Sequence, residues 1–406
     1  MRSRADSHYL AVLSKVVRKH HRQWASLCFS AGWLAISAPA AAQVDRAAQL
    51  PSEQDAPIAL LVDMTSGQTL FARQADRRFA PASITKVMTT YTAFDQIRQG
   101  KLDLTQTLPV RPATFAKWQR VGSTMYLPAN SRVSVNQLIV GINTVSANDG
   151  AAVLAEGVAG SVPAWLDLMN ANAAKLGMEN SRFATPNGWP DGGATYTTAY
   201  DLAKLAKATI TDFPQLYRAY YGHPNFSFRG IRQRNHDPIS GRVPGADGLK
   251  TGYTDAAGFG FLGSAERNGQ RLILVIATSD SGAARDRAAR SLLKWGFAQF
   301  QSHSVLPADH IIGEARINGG ASRSVDLVLP EPLSVSLPRG QRPAVSLSVL
   351  PVEPVSAPVT AGTVVAQLEV RAAGVPSYTV PLHAAEDVPR ANLLQRWRNA
   401  LLDAIA

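Results

Sequence analysis

The chain has almost no cysteine. Cys28 is the single one among 406 residues, so an intramolecular disulfide and a cysteine-based zinc site are both excluded. None of the eight histidines forms a His-x-x-x-His pair or a His-Glu-x-x-His run, which leaves a histidine metal site without support. Neither a metal nor a cofactor is expected. Charge is sparse as well. Charged residues make up 17% against 46% hydrophobic, a balance that excludes a disordered chain. The formal net charge of +11 gathers at one end. Arg2, Arg4, Lys15, Arg18, Lys19 and Arg22, offset only by Asp6, carry +5, and +11 less +5 leaves +6 for the rest. No long basic tract remains, so nucleic acid is not an expected partner.

What stands at the N-terminus is a basic segment followed by an apolar run over 24–36 and then Pro39-Ala-Ala-Ala42, with small residues at 40 and 42 where signal peptidase cuts. The run is short and serine-rich for a full membrane span. Residues 1–42 are therefore read as a cleaved secretory signal peptide, which places the function outside the cytoplasm and argues against kinases, dehydrogenases and most ATP chemistry.

The length suggests two or three domains. Residues 57–64 read as a buried strand, Thr65-Ser-Gly67 as a turn and 68–72 as a second strand. A helix starts near Ser83, and 134–210 is helix-rich, with Ser134-Val-Asn-Gln137 as a capping box. Strand patterns return at 259–264 and 271–278, joined by a turn containing Asn268-Gly269, and 284–300 reads as an amphipathic helix. Strands first, helices in the middle and strands with a helix last make an α/β sheet domain with a helical insertion, over 50–302. From 303 to 388 the composition shifts to Val, Ser and Pro with strand alternation, which reads as a small β-sandwich. The tail, 391–406, repeats Leu393, Trp397, Leu401 and Ile405 at fourfold spacing with Arg396 and Arg398 to the side. It reads as an amphipathic helix suited to a membrane surface, with a helix docked on the β domain as the competing reading. Nothing in the sequence specifies an oligomeric state.

Three short motifs carry chemistry. In Ser83-Ile-Thr-Lys86 a helix start puts both side chains on one face, so Lys86 can reach Ser83 and, if its pKa is depressed, act as its base. Ser291-Leu-Leu-Lys294 fits the same pattern inside a plain amphipathic helix, so the pattern alone is cheap. In Ser146-Ala-Asn148-Asp149 a polar loop between apolar helices can present a hydroxyl that relays a proton and an amide that bonds a substrate amide. In Lys250-Thr-Gly252 a lysine and threonine at a strand edge can bind an anion, and Gly252 leaves room for a substrate backbone.

Together, in this order and on these elements, the three form the active-serine set of the penicillin-recognising enzymes. The sequence resembles the low-molecular-mass penicillin-binding proteins, the serine-type D-alanyl-D-alanine carboxypeptidases, over roughly 50–406. Further matches are Thr185-Pro-Asn-Gly188, Tyr196-Thr-Thr-Ala-Tyr-Asp-Leu-Ala203, Asp247-Gly-Leu-Lys-Thr-Gly252 and Leu293-Lys-Trp-Gly-Phe297. The resemblance implies that Ser83 attacks the carbonyl between the last two D-alanines of a peptidoglycan stem peptide and that Lys86 takes its proton. It implies an oxyanion hole from the N–H groups of Ser83 and Tyr253, and proton delivery to the leaving group by Ser146 and Lys250. Lys250, Thr251 and Arg285 would hold the free carboxylate, β-lactam antibiotics would acylate Ser83, and the tail would hold the enzyme on the periplasmic face of the inner membrane. A β-lactamase, a muropeptide endopeptidase and a non-catalytic wall-binding scaffold are the alternatives. Against the first, the middle residue of the second motif is Ala147, and 157–178 holds no acidic residue but Asp167.

Overall fold

The computed structural model describes residues 49–341, 344–351, 355–372, 375 and 377–405; the signal peptide expected at 1–42 lies outside them. A five-stranded antiparallel sheet forms the frame, in the order Thr69–Arg73, Ile58–Asp63, Gln270–Ser279, Gly258–Arg267, Ala246–Thr254. Ile58–Asp63 is buried along nearly its whole length, as a run of apolar residues on both faces requires. Alternate residues face opposite ways. Ile58, Leu60, Leu262, Ile273 and Val275 join the core shared with the helical region. Ala59, Leu61, Phe261, Leu272, Leu274 and Ile276 pack instead against Ala288, Leu292 and Leu293 of helix Gly282–Gln299. The sheet is thus covered on both faces, and Asn268-Gly269 turns the hairpin with both residues at positive φ, 50° and 77°.

The helical insertion contains Thr85–Arg98, Val135–Val145, Asn148–Ala159, Val162–Lys175 and Ala199–Asp212. Ser134 caps as its sequence suggests. The Gln137 N–H donates to Ser134 Oγ at 3.2 Å, and the Ser134 N–H donates to Gln137 Oε1 at 3.3 Å.

After helix Gly282–Gln299 the chain is β only up to the tail among the described residues. Phe300–Leu306 pairs with Leu333–Pro338, and six further strands form a second sheet, around a core that includes Val335, Leu368, Val370 and Leu382. This module rests on the first hairpin through polar contacts. The Ser336 N–H donates to Gln68 Oε1 at 2.5 Å, and the Ser336 hydroxyl bonds the Asp63 carboxylate.

The tail forms the helix Leu393–Ile405. It touches the β module with its polar side: Arg398 donates to the Ala321 carbonyl at 3.1 Å and Asn399 to the Gly320 carbonyl at 3.0 Å. Its apolar side faces outward, with Leu394 82% and Trp397 78% exposed. No single helix among the described residues is long and apolar enough to cross a membrane.

Candidate active site

Ser83 sits in a single 3-10 turn, Ala82–Ile84, that runs directly into helix Thr85–Arg98. The turn is entered through Ala82 at φ +49°, a left-handed conformation that costs a non-glycine residue about 1–3 kcal/mol and marks a constrained segment. One helical turn on, the Lys86 side chain is fully buried. Its Nζ lies 2.8 Å from Ser83 Oγ, 2.8 Å from Asn148 Oδ1 and 2.7 Å from the main-chain oxygen of Asn187. Those partners fit a neutral amine. The two carbonyl oxygens can take its two N–H donors, which turns the lone pair toward the serine hydroxyl. Burial first, and then the nearby charge of Lys250, lower the Lys86 pKa well below that of a free lysine, while Asp149 acts weakly the other way.

The second motif differs from the loop that sequence reading expects. Helix Val135–Val145 ends at Ser146 in the left-handed region, φ 61°, and the next helix already begins at Asn148. The break is two residues wide because a single left-handed residue reverses the chain. Asn148 and Asp149 therefore stand in the first turn of a helix. Asn148 donates from Nδ2 to the Val121 carbonyl at 3.1 Å, and its N–H donates to the Ser123 carbonyl at 2.8 Å. The Asp149 carboxylate takes the N–H groups of Met125, Leu127 and Gly150. The segment 121–127 is thus tied to the helix start that carries Asn148.

Lys250, Thr251, Gly252 and Tyr253 lie on Ala246–Thr254, the edge strand beside the turn of Ser83. Lys250 is buried and donates to the Thr251 carbonyl at 2.9 Å. Burial and then Arg285 lower its pKa to about 7. Gly252 has a reason that sequence reading missed. A Cβ there would lie 2.6 Å from the Pro81 carbonyl oxygen, so the glycine lets the strand press against the serine turn itself. Tyr253 is half exposed, stacks on Phe259 at 4.0 Å and donates its hydroxyl to Asp255 at 2.6 Å. Arg285 reaches in from the first turn of helix Gly282–Gln299, held by Asp286 at 2.7 Å.

Ser83, Ser146, Asn148, Thr251, Gly252, Tyr253 and Arg285 line one cleft of about 590 Å³, with Lys86 and Lys250 bonded in its walls. All nine sequence-designated residues come together. The decoys do not: Ser134 caps a helix, and the Ser291 hydroxyl bonds the Gln49 carbonyl on the outer helix.

Two contributors went unassigned. The loop Thr185-Pro-Asn-Gly188 supplies the Asn187 carbonyl to Lys86 and the Pro186 carbonyl to Thr89 at 2.5 Å. Gly188, at φ +74°, lies so close that a Cβ would sit 1.8 Å from the Ala82 carbonyl oxygen. In the sequence this loop stands out only as a string shared with the family. His236 also lines the cleft; burial, then Lys250 and Arg285, lower its pKa. No local pattern marks it. The arrangement offers a hydroxyl with a buried amine beside it, facing a wall of Lys250 and Arg285 suited to a carboxylate.

Residues 43–281 match a family model described as D-alanyl-D-alanine carboxypeptidase, and 300–390 match one described as Penicillin-binding protein 5, C-terminal domain. D-alanyl-D-alanine carboxypeptidase DacC of Escherichia coli is 33% identical over 91% of this chain and 93% of its own length. The solved structure of penicillin binding protein 5 from Haemophilus influenzae superposes with a TM-score of 0.73, at 31% identity, over 84% of this chain and all of that one. Penicillin-binding protein D2 from Listeria monocytogenes, solved in an ampicillin-bound form, covers 61% of this chain and all of its own, at 28% identity and a TM-score of 0.53.

Proposed function

The chain belongs to the D-alanyl-D-alanine carboxypeptidase family, and on that premise we propose that it removes the terminal D-alanine from peptidoglycan stem peptides through an acyl-enzyme on Ser83. The observation that carries the residue assignment is the placement of Lys86 Nζ. It is wholly buried, within hydrogen-bond reach of Ser83 Oγ, and fixed by two carbonyl oxygens. As Ser83 Oγ attacks the penultimate D-alanine carbonyl, its proton passes to Lys86. The oxyanion is met by the N–H groups of Ser83 and Tyr253. Ser146, with Lys250, passes that proton on from Lys86 to the departing amine, which leaves Lys86 neutral again, and Asn148 bonds the substrate backbone while holding Lys86. Lys250, Thr251 and Arg285 take the free carboxylate. Water then cleaves the ester, and Lys86 again serves as base. β-Lactams enter the same path by acylating Ser83.

The exposed apolar side of helix Leu393–Ile405 supports a site of action on the periplasmic face of the inner membrane, reached after removal of residues 1–42. The helix is fastened to the β module by Arg398 and Asn399, so its leucines and Trp397 are free for the lipid interface. Docking and membrane contact, rivals in the sequence, use opposite sides of one helix. The residue assignment is tested with fluorescent penicillin. Ser83→Ala should abolish covalent labelling and Ser291→Ala should leave it intact; persistent labelling of Ser83→Ala would reject the nucleophile.

A further inference from the structure

Beside the catalytic cleft lies a second depression, of about 840 Å³, that no step of the proposed reaction uses. Its walls are the hairpin of Asn225–Phe228 and Ile231–Arg234 and the chain that follows. Three guanidinium groups line it: Arg232, Arg234 and Arg242, all exposed. None of the three makes an ion pair among the described residues; Arg242 donates only to the Asp237 main-chain oxygen, at 3.1 Å. The one carboxylate in the wall is Asp237. It is buried, and it already accepts the N–H groups of Ile239 and Ser240 and the hydroxyl of Ser240. A concave polar surface with three cations and a single, internally satisfied anion suits a ligand with more than one negative charge.

The position of this depression matters as much as its charge. Asn235 and Asp237 line it, whereas His236 between them lines the catalytic cleft. The segment 235–237 is therefore the partition between the two, with alternate residues turned to either side. An anionic ligand held here would lie next to the stem peptide being cut, on the side of the cleft where Lys250 and Arg285 act on His236.

We infer that this arginine-lined depression binds the carboxylates of a second acidic peptide, a neighbouring stem of the same wall polymer, while the first is hydrolysed. The inference rests on the carboxypeptidase reading for the identity of the polymer. It goes beyond that reading in giving the enzyme a separate contact with the polymer.

The test uses the full chain and soluble, un-cross-linked glycan strands carrying tripeptide stems. These lack the scissile bond and do not turn over. Binding should weaken at least tenfold in the double variant R232Q/R234Q, largely recover in R232K/R234K, and fall with added salt more steeply in the wild type than in R232Q/R234Q. Penicillin acylation of R232Q/R234Q should equal that of the wild type, which also reports an intact fold. Unchanged strand binding in R232Q/R234Q would overturn the inference. So would equal binding of strands with amidated carboxylates, a preference for inorganic polyphosphate, or loss of acylation together with strand binding. Failure of the wild type to release D-alanine from a pentapeptide would instead strike the carboxypeptidase reading, since strand binding is measured without turnover.

Discussion

Gly188→Ala should damage the site out of proportion to its one added methyl. At φ +74° any L-residue bears about 1–2 kcal/mol of left-handed strain. The added Cβ would also lie 1.8 Å from the Ala82 carbonyl oxygen and 2.3 Å from its carbon. These are backbone atoms of the turn that carries Ser83, so the overlap cannot be relieved by a side-chain rotation. Either that turn or the 185–188 loop must move by about 1 Å or more to restore contact near 3 Å. Moving the loop withdraws the Asn187 carbonyl from the neutral Lys86 amine, a hydrogen bond worth about 0.5–1.5 kcal/mol. Moving the turn displaces the nucleophile, and a 1 Å misplacement costs on the order of 10²-fold in rate. The control is Gly192→Ala, at φ +73° with nothing within 4 Å of its Cβ. It shares the conformational strain and lacks the collision. Stopped-flow acylation by a chromogenic β-lactam, with urea melts of both variants, separates the two effects. Gly192→Ala should acylate as the wild type and lose only the conformational strain in stability; Gly188→Ala should acylate about a hundredfold more slowly. Equal acylation rates in the two variants would refute the packing argument.

Lys250, with a pKa near 7 against 10.5 in the unfolded chain, leaves the folded state less protonated between those values, so stability should rise with pH across that window and be flat below it. The rise is about 5 kcal/mol as an upper bound, and chemical melts of Lys250→Met from pH 6 to 10 should lack it; the same slope in the variant would contradict the assignment. The proposed role of protonated Lys250 on the substrate carboxylate predicts that KM for a peptide ending in D-alanine climbs above pH 7. A peptide ending in D-alanine amide should turn over at least tenfold more slowly, through loss of a contact of about 1.5–3 kcal/mol; equal rates would favour an endopeptidase. A chain ending at Arg390 should cleave soluble peptides normally but no longer float with anionic liposomes, since the exposed face of Leu393, Leu394, Trp397, Leu401 and Leu402 is gone. Equal flotation of both forms would remove the tail as anchor.

The sheet, its covering helices and the capping box were legible because each has a short-range cause. Ile58–Asp63 and Gln270–Ser279 announce burial by unbroken apolar runs, Asn268-Gly269 dictates its own turn, and Ser134 needs only Gln137. The meeting of Ser83 and Lys86 was legible for the same reason, since the two lie one helical turn apart. What was hidden depends on where distant backbone lands. The third partner of Lys86 is a main-chain oxygen 101 positions away, and a carbonyl leaves no trace in residue identity. Gly252 was read as leaving room for a substrate backbone, whereas the group its missing Cβ admits is the Pro81 carbonyl of the turn that carries Ser83. His236 enters from a segment without regular structure. The tail's apolar stripe was visible, yet only the contacts of Arg398 and Asn399 reveal that the helix binds the β module with its polar side.

The most direct measurement is mass spectrometry of the protein mixed with a pentapeptide ending in D-alanyl-D-alanine, sampled from milliseconds to minutes. It should find release of one D-alanine per peptide and a transient acyl adduct on the fragment containing Ser83, with both lost in Ser83→Ala and strongly slowed in Lys86→Arg. Release of D-alanine by Ser83→Ala, an adduct on another residue, or an undiminished rate in Lys86→Arg would contradict the serine–lysine mechanism.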